Sequence, residues 1–362
     1  MTSTQQRQST QNGITCAILR SLEELRAAVP EWHALWIEDP EATPFQSPQW
    51  LLPWARQFAP SELRAVMVRD CSSLLAILPF YRHFDLLTGE RQLLLLGAGT
   101  SDYLDGTYST SCTPDHIRRG LSLICCEEDW DALRVFQLKE SSKLRQVLET
   151  LPLPGLRRIG AESCSRIPAV PLSELPRSIK DQAKYYRNRA TRRGNLELSV
   201  ADESNWPSAF DALERLHRLR WENSGKPGLL ADARVVAWHR EAMPLFLRDG
   251  LLRLFTLSLD GEPMAALYSL LDPPTRAQRT QYLYMTAYSI QYAALRPGTV
   301  LTALAVEHAA KEGAQTVDML RGDEPYKRLW HPEKLPTFGF AMPHLKRASS
   351  VLGSIQSREA AA

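Results

Sequence analysis

The stretch Val317-Asp318-Met319-Leu320-Arg321-Gly322-Asp323-Glu324-Pro325-Tyr326-Lys327-Arg328-Leu329-Trp330 runs from a short apolar strand pattern into packed charge and then an aromatic. A strand ending in Arg-Gly-Asp-Glu delivers a guanidinium and two carboxylates to a sheet edge, where open α/β folds place reactive side chains. Taken alone, the cluster equally describes a polar loop after an edge strand. Its upstream context favours chemistry. Residues 298–313 read as one helix, opened by Gly298 and Thr299 and closed by Gly313, with Val300, Leu304 and His308 on one stripe. Gln281 to Tyr288 is rich in aromatic and β-branched residues and reads as a strand. The order is therefore strand, Arg296-Pro297-Gly298-Thr299 loop, helix, strand, charged loop. A helix start of this kind is an anion cradle, because its dipole and unpaired N–H groups point at a ligand.

At 362 residues the chain suits two domains of about 150 to 180 residues each. A net charge of +2 gives no case for DNA or a membrane surface. Cys16, Cys71, Cys112, Cys125, Cys126 and Cys164 follow neither a metal-binding nor a disulfide spacing. His217, His239, His308, His331 and His344 show no ligand spacing either, so no metal is expected. The first twelve residues are polar and no apolar run is long enough to span a bilayer, which leads us to expect a cytoplasmic, reduced protein.

Two halves share one plan. Leu63 to Asp70 and Leu74 to Phe80 read as strand, turn, strand, and Leu252 to Asp260 with Met264 to Leu271 repeat it. Aligning Asp70 with Asp260 sets Leu74 on Met264, Ala76 on Ala266 and Ile77 on Leu267. A Trp-bearing helical stretch precedes each hairpin, Trp32 to Trp36 and Leu216 to Trp221. Pro168, Pro171 and Pro176 place the boundary between the halves. The segment Arg177 to Arg193 holds seven basic residues against one acid, with Lys180, Lys184 and Arg187 on one helical face and Ile179, Ala183 and Tyr186 on another. We read it as a solvated amphipathic helix in preference to a phosphate-binding patch.

The second half resembles the GNAT superfamily of acyltransferases, and within it the CelD-like, cellulose-biosynthesis-associated branch related to the Fem peptidoglycan aminoacyl transferases. The residues that carry the likeness are Leu216 to Trp221, the Gly225/Gly228 turn, the hairpin Leu254 to Ala266, Pro297 to Leu301, and most specifically Leu320 to Lys327. The resemblance implies an α/β (α+β) chain of tandem GNAT-like domains, each a mixed, mostly antiparallel central sheet flanked by helices. Expected boundaries are a disordered 1–13, a degenerate N-terminal GNAT-like domain over 14–172, an acyltransferase domain over 173–347 and a flexible tail over 348–362. It also implies acyl transfer from acyl-coenzyme A, acetyl-coenzyme A first, to an amine or hydroxyl of a small-molecule or saccharide acceptor in polysaccharide or envelope biosynthesis.

In this superfamily the thioester lies where two central strands splay apart, here 281–288 and 315–320, and Arg296, Gly298, Thr299 and Val300 hold the coenzyme pyrophosphate. The loop has one glycine, a shortened spacing and a proline without an N–H, which also admits an aminoacyl-tRNA donor. Asp323 or Glu324 is the expected base if burial raises its pKa. Tyr326 is the expected acid for the thiolate, Lys327 the residue that polarises the carbonyl, and Arg321 a clamp on an acceptor phosphate or on Glu324. His217 and Arg220 contact the acceptor or solvate their helix. Asp102 and Asp105, in the Ser101-Asp102-Tyr103-Leu104-Asp105 patch, contact the acceptor or cap a turn. The alternatives are a Fem-like aminoacyl-tRNA-dependent transferase and a non-catalytic tandem component of a polysaccharide-synthesis assembly.

Overall fold

The computed structural model describes residues 8–344 apart from 12, 72, 152–153, 161, 224 and 226. Two compact units divide the chain, the first formed by residues 1–162 together with 336–362 and the second by 163–335. In chain order the first contributes β1 (Gln8–Gln11), β2 (Ile14–Leu19), α1 (Leu22–Ala27), α2 (Val29–Glu38), α3 (Pro48–Phe58), β3 (Ala65–Asp70), β4 (Ser73–Leu78), β5 (Phe80–Phe84), β6 (Arg91–Leu95), β7 (Thr107–Tyr108), α4 (Pro114–Cys125), β8 (Ala132–Leu138), α5 (Lys143–Thr150) and β9 (Arg157–Ile159). The second contributes β10 (Ser163–Pro168), α6 (Arg177–Thr191), β11 (Leu196–Val200), α7 (Trp206–Glu222), α8 (Ala233–Arg248), β12 (Leu252–Leu259), β13 (Glu262–Leu271), β14 (Thr280–Tyr288), α9 (Pro297–Lys311), β15 (Thr316–Arg321), α10 (Pro325–Arg328) and β16 (Glu333–Pro336). The last strand, β17 (Phe338–Pro343), lies in a sheet of the first unit.

The second unit is one seven-stranded sheet in the order β11-β12-β13-β14-β15-β10-β16. From β11 to β10 its pairs are antiparallel except β14 with β15, which run parallel because α9 crosses between them. That helix buries Val300, Leu301, Ala303, Ala305, Val306 and Ala309, so most of its circumference is core rather than the single stripe of residues 300, 304 and 308. In the first unit the same plan is split into two five-stranded sheets, β1-β2-β3-β4-β7 and β5-β6-β8-β17-β9. The split falls at Pro79, between β4 and β5, where a residue without an N–H ends the strand, whereas β13 runs on as one strand through a register shift between Tyr268 and Ser269. Again the parallel pair is central, β6 with β8.

The paired hairpins support a repeated plan, with one correction. Asp70 faces Ser73 and Leu259 faces Glu262 across two-residue connections, and both hairpins carry a bulge at the same place, between Val68 and Arg69 and between Leu257 and Ser258. Asp70 therefore corresponds to Leu259, not Asp260, and Ala76 to Ala265, one residue off the alignment read from sequence. Cys71 and Asp260 are the equivalent turn residues, both with positive φ (46° and 50°).

The boundaries also differ from expectation. Ser163–Pro168 pairs antiparallel with β15, so the second unit begins before the prolines at 168–176. Phe338–Pro343 pairs with β8 and β9, which returns part of the expected 173–347 domain to the first unit. Gln8–Gln11 pairs with β2, so this part of the expected disordered 1–13 is a strand. The expected 348–362 tail lies outside the described residues. Among the described residues no helix is long and apolar enough to cross a membrane.

Candidate functional site

Strands β14 and β15 pair only at Thr280 with Thr316, Gln281 with Val317, and Tyr282 with Asp318. Beyond that point β14 continues to Tyr288 and β15 to Arg321 without facing each other, so the strands part as the family resemblance implies. Leu320, at the parting, has φ 58°, a left-handed conformation that a branched residue adopts only when held there. The hold is Asp318, 3% exposed, whose Oδ1 accepts the Leu320 N–H at 2.7 Å. Gly322 follows with φ 102°, and a Cβ there would fall 2.6 Å from Glu324 Oε2. Glycine is needed for the turn, because the positive φ is one that side chains strain to adopt.

Lys327 closes this loop from beneath. It is 2% exposed, and its ammonium donates to the carbonyls of Arg321 at 2.6 Å, Leu320 at 3.2 Å and Gly322 at 3.4 Å. Glu324 Oε2 lies 2.9 Å from the same Nζ. Three protons face four acceptors of the protein itself, unlike the substrate-facing ammonium expected from sequence. Asp323 also departs from expectation. It is exposed, accepts from Arg328 at 2.7 Å and Lys334 at 2.9 Å, and these hydrogen bonds, Lys334 first, hold its carboxyl below the usual range. A base needs the opposite shift. Glu324 is half exposed and close enough to Tyr326 to raise the phenol. Desolvation first, then Glu324, push Tyr326 up to about 12, with Arg220 opposing. Arg321 is half-buried at the end of β15, opposite Cys164.

Helix α7 brings a second set of groups to the same place. Arg220 Nη1 donates to the Thr286 carbonyl at 3.2 Å, in the part of β14 that has left β15, and its guanidinium lies 5.2 Å from the Tyr288 ring centre. His217, one turn earlier, is 5% exposed. Burial, then Arg220, push its imidazole down to about 4, so it is neutral near pH 7. Gly228 closes over this pair, since any Cβ there would collide with His217 Cε1 and the Trp221 ring.

The start of α9 also reaches Tyr288, because a Cβ on Gly298 would lie 3.5 Å from Tyr288 Cδ1. As a cradle it is sparse. Pro297 has no N–H, and the amides of Thr299 and Val300 turn back to the Arg296 carbonyl at 3.1 and 3.3 Å, leaving the Gly298 amide in this first turn. Arg296, φ 42°, donates to Gln182 at 2.8 Å and lies 5.3 Å from the Tyr186 ring, so its cation is turned toward α6. Val300 is buried in the core. Helix α6 packs on α9 through a stripe that includes Ile179 and Ala183, and Arg189 reaches the Ala294 carbonyl at 3.4 Å.

Asp102 and Asp105 belong to the first unit. Asp102 is buried. Asp105 Oδ1 accepts from Tyr108 Oη at 2.6 Å and from the Gly106 N–H at 2.7 Å. Burial pushes Asp105 up to about 6, against hydrogen bonds from Ser142, Tyr108 and Gly106, with Asp39 adding to the rise. A small pocket there is lined by Asp39, Asp105, Tyr108, Ser142 and Lys143 among others. Thus in the second unit Arg220 and Gly298 both meet Tyr288, His217 lies one turn from Arg220, and Tyr326 lies within electrostatic reach of Arg220 and Glu324. Thr286, Tyr288 and Asp318 were not singled out from sequence. For Asp318 the signal was present, as a carboxylate inside the run Val317-Asp318-Met319-Leu320.

Residues 177–328 match the family model described as an acetyltransferase (GNAT) domain. Among solved structures, the chain is similar to the crystal structure of FemX, with 11% identity and a TM-score of 0.64 over 89% of this chain and 97% of that one. It is also similar to a conserved protein of unknown function from Bacteroides thetaiotaomicron (10% identity, TM-score 0.59, 87% of this chain and 97% of that one). L-PGS from Bacillus licheniformis is a further match (11% identity, TM-score 0.53, 81% of this chain and 86% of that one). At such identities the likeness is one of fold. No curated protein sequence matches the chain. The matched domain supports acyl transfer as the activity class of the second unit.

Proposed function

We propose that the second unit transfers an acyl group from acyl-coenzyme A, acetyl-coenzyme A in the first instance, to an amine or hydroxyl of a small-molecule or saccharide acceptor. The observation that carries this reading is Arg220 seated on the open stretch of β14, beside the start of α9 and within electrostatic reach of Tyr326, which in turn feels Glu324. The unpaired stretch of β14 suits the amide-bearing arm of the thioester, and its main-chain donors can meet charge that develops on the carbonyl oxygen. The pyrophosphate finds a poorer fit, with one free amide in the first turn of α9.

Glu324 is placed to take the proton of the attacking amine or hydroxyl, directly or through one water. As the new C–N or C–O bond forms and the C–S bond breaks, Tyr326, protonated at every physiological pH, donates to the leaving thiolate. Arg220 fixes the β14 edge and supplies positive charge beside both residues. Lys327 acts as a positioning residue that holds the loop carrying Glu324. We place the chain in the CelD-like branch and its acceptor in polysaccharide or envelope biosynthesis on the strength of the Leu320–Lys327 resemblance.

A second reading, an aminoacyl-tRNA-dependent transferase, is favoured by the sparse cradle at Pro297–Val300. Titration with acetyl-, succinyl- and longer acyl-coenzyme A separates the two. At a hundredfold over its dissociation constant a true donor stabilises the fold by about 2.7 kcal/mol. A melting temperature that millimolar coenzyme A thioesters leave unmoved rejects the first reading in favour of the second.

A further inference from the structure

Single exposed apolar side chains are ordinary on a protein surface, but their distribution on the second unit is not scattered. Among the described residues of this unit, the large apolar side chains left exposed are Tyr185, Leu219, Leu229, Ile290, Tyr326 and Leu329. They belong to α6, to α7, to the turn after Gly228, to the 290–295 turn that follows β14, and to α10 with its cap. All of these elements but α6, which packs on α9, adjoin the place where β14 and β15 part: α7 packs on β14, the 229–231 turn packs on α7, the 290–295 turn follows β14, and α10 follows β15. No such side chain lies on α8, α9 or the strands of the sheet, among the described residues. Tyr326 and Leu329 are three residues apart and share a face.

Within this border lies a polar group awaiting a partner. His217 Nδ1 is buried and has no hydrogen-bond partner among the described residues. Buried polar atoms are rarely left in that state, since each costs the desolvation of the group. Gly228, which admits no side chain over the ring, draws the chain bearing Leu229 against it.

We infer that the acceptor is an amphiphile, with a nucleophilic amine or hydroxyl that donates to His217 and a hydrocarbon body lying on Leu219, Leu229, Ile290, Tyr326 and Leu329. The inference rests on the acyl-transfer reading for the word acceptor, while the binding chemistry stands by itself. A saccharide with all hydroxyls exposed would leave this border wet. A hydrocarbon on the same carbon frame as the nucleophile covers it, and brings the nucleophile beside Glu324 and Tyr326.

The test is isothermal titration of the full-length protein with n-alkylamines from ethyl to decyl, below their micellar concentrations. A fully buried methylene is worth roughly fourfold in affinity, so an open border predicts about two- to fourfold per methylene. Leu219→Ser with Leu329→Ser should flatten that slope, Ile290→Ser should do so in part, and His217→Phe should weaken every member equally. A second arm holds ethanolamine fixed and lengthens the acyl chain from acetyl- to decanoyl-coenzyme A. A slope in that arm alone assigns the hydrocarbon to the donor and overturns the inference. Flat slopes in both arms overturn it, as does sedimentation showing a dimer that the serine variants dissociate, which would make the border a subunit contact. Coenzyme A release, measured in parallel, judges the acyl-transfer reading separately: absent release with a retained alkylamine slope rejects that reading and keeps the binding site.

Discussion

Lys327→Met is the substitution whose outcome separates a clamp from a catalytic group. Methionine keeps the aliphatic stem packed and removes only the ammonium, which donates to the carbonyls of Arg321 and Leu320 at 2.6 and 3.2 Å, with Gly322 more distant at 3.4 Å. A hydrogen bond from a charged donor contributes about 1.5 to 3 kcal/mol, so the two shorter ones amount to roughly 3 to 6. The variant no longer has to bury an ammonium, which returns part of that, and the half-exposed Glu324 partner adds little. The net loss is about 2 to 4 kcal/mol, which for a domain of this size lowers Tm by about 4 to 16 °C. Thermal unfolding of wild type and variant, with turnover measured per folded molecule on the same samples, provides the assay. Activity should fall together with order in the 320–324 loop, and hydrogen exchange at Leu320 should quicken because its left-handed conformation loses support. A Tm within about 2 °C of wild type alongside a hundredfold loss of turnover would refute the clamp and return Lys327 to the chemistry.

Tyr326→Phe should leave Tm nearly unchanged and lower turnover about 10²-fold, the usual loss for one proton donor; thioesters with more acidic thiols should narrow the gap, and their failure to do so would count against the acid role. Gly228→Ala forces a Cβ into His217 and Trp221, and should cost about 1 to 3 kcal/mol by urea unfolding and weaken acceptor binding more than coenzyme A binding. His217, held down to about 4, and His239, held down to about 3 by burial, bind fewer protons folded than unfolded. Their contribution is complete above about pH 6.5 and is lost as pH falls toward 4 and 3, so His217→Gln should flatten the fall of Tm between pH 6.5 and 4, an effect of at most about 3 kcal/mol. Asp105, raised to about 6, has the opposite sign: its contribution is complete below about pH 4 and is lost as pH rises through 6. Asp105→Asn should therefore raise stability at pH 7 relative to pH 4, as Tm against pH will show.

What could be read from the chain was what local pattern dictates. The strand at 280–288, the helix at 297–311 and the two hairpins follow from periodicity and turn residues, and the parting of β14 from β15 follows from the resemblance they carry. Pairing between distant segments was not legible. Ser163–Pro168 has no apolar alternation to mark it as a strand, and nothing in Phe338–Pro343 says that its partners lie some 200 residues earlier. The hairpin alignment slipped by one because Asp is common both at strand ends and in turns, as at Asp70 and Asp260. At the site, sequence supplied the residue types but not how their donors are spent: the ammonium of Lys327 goes to backbone, and the carboxylate of Asp323 to two cations in solvent.

The placement of β17 also sets a schedule for synthesis. This strand lies between β8 and β9 in the first unit, yet it is encoded after the whole of the second. While the ribosome is still translating residues 163–335, β9 has no strand to pair with and β8 presents an open edge. The second unit, whose β10 precedes its other strands, gathers its complete sheet first. The amino-terminal unit is thus the last to be finished, and a ribosome that stalls after residue 335 releases a protein whose late-made half is folded and whose early-made half still exposes a strand edge to aggregation.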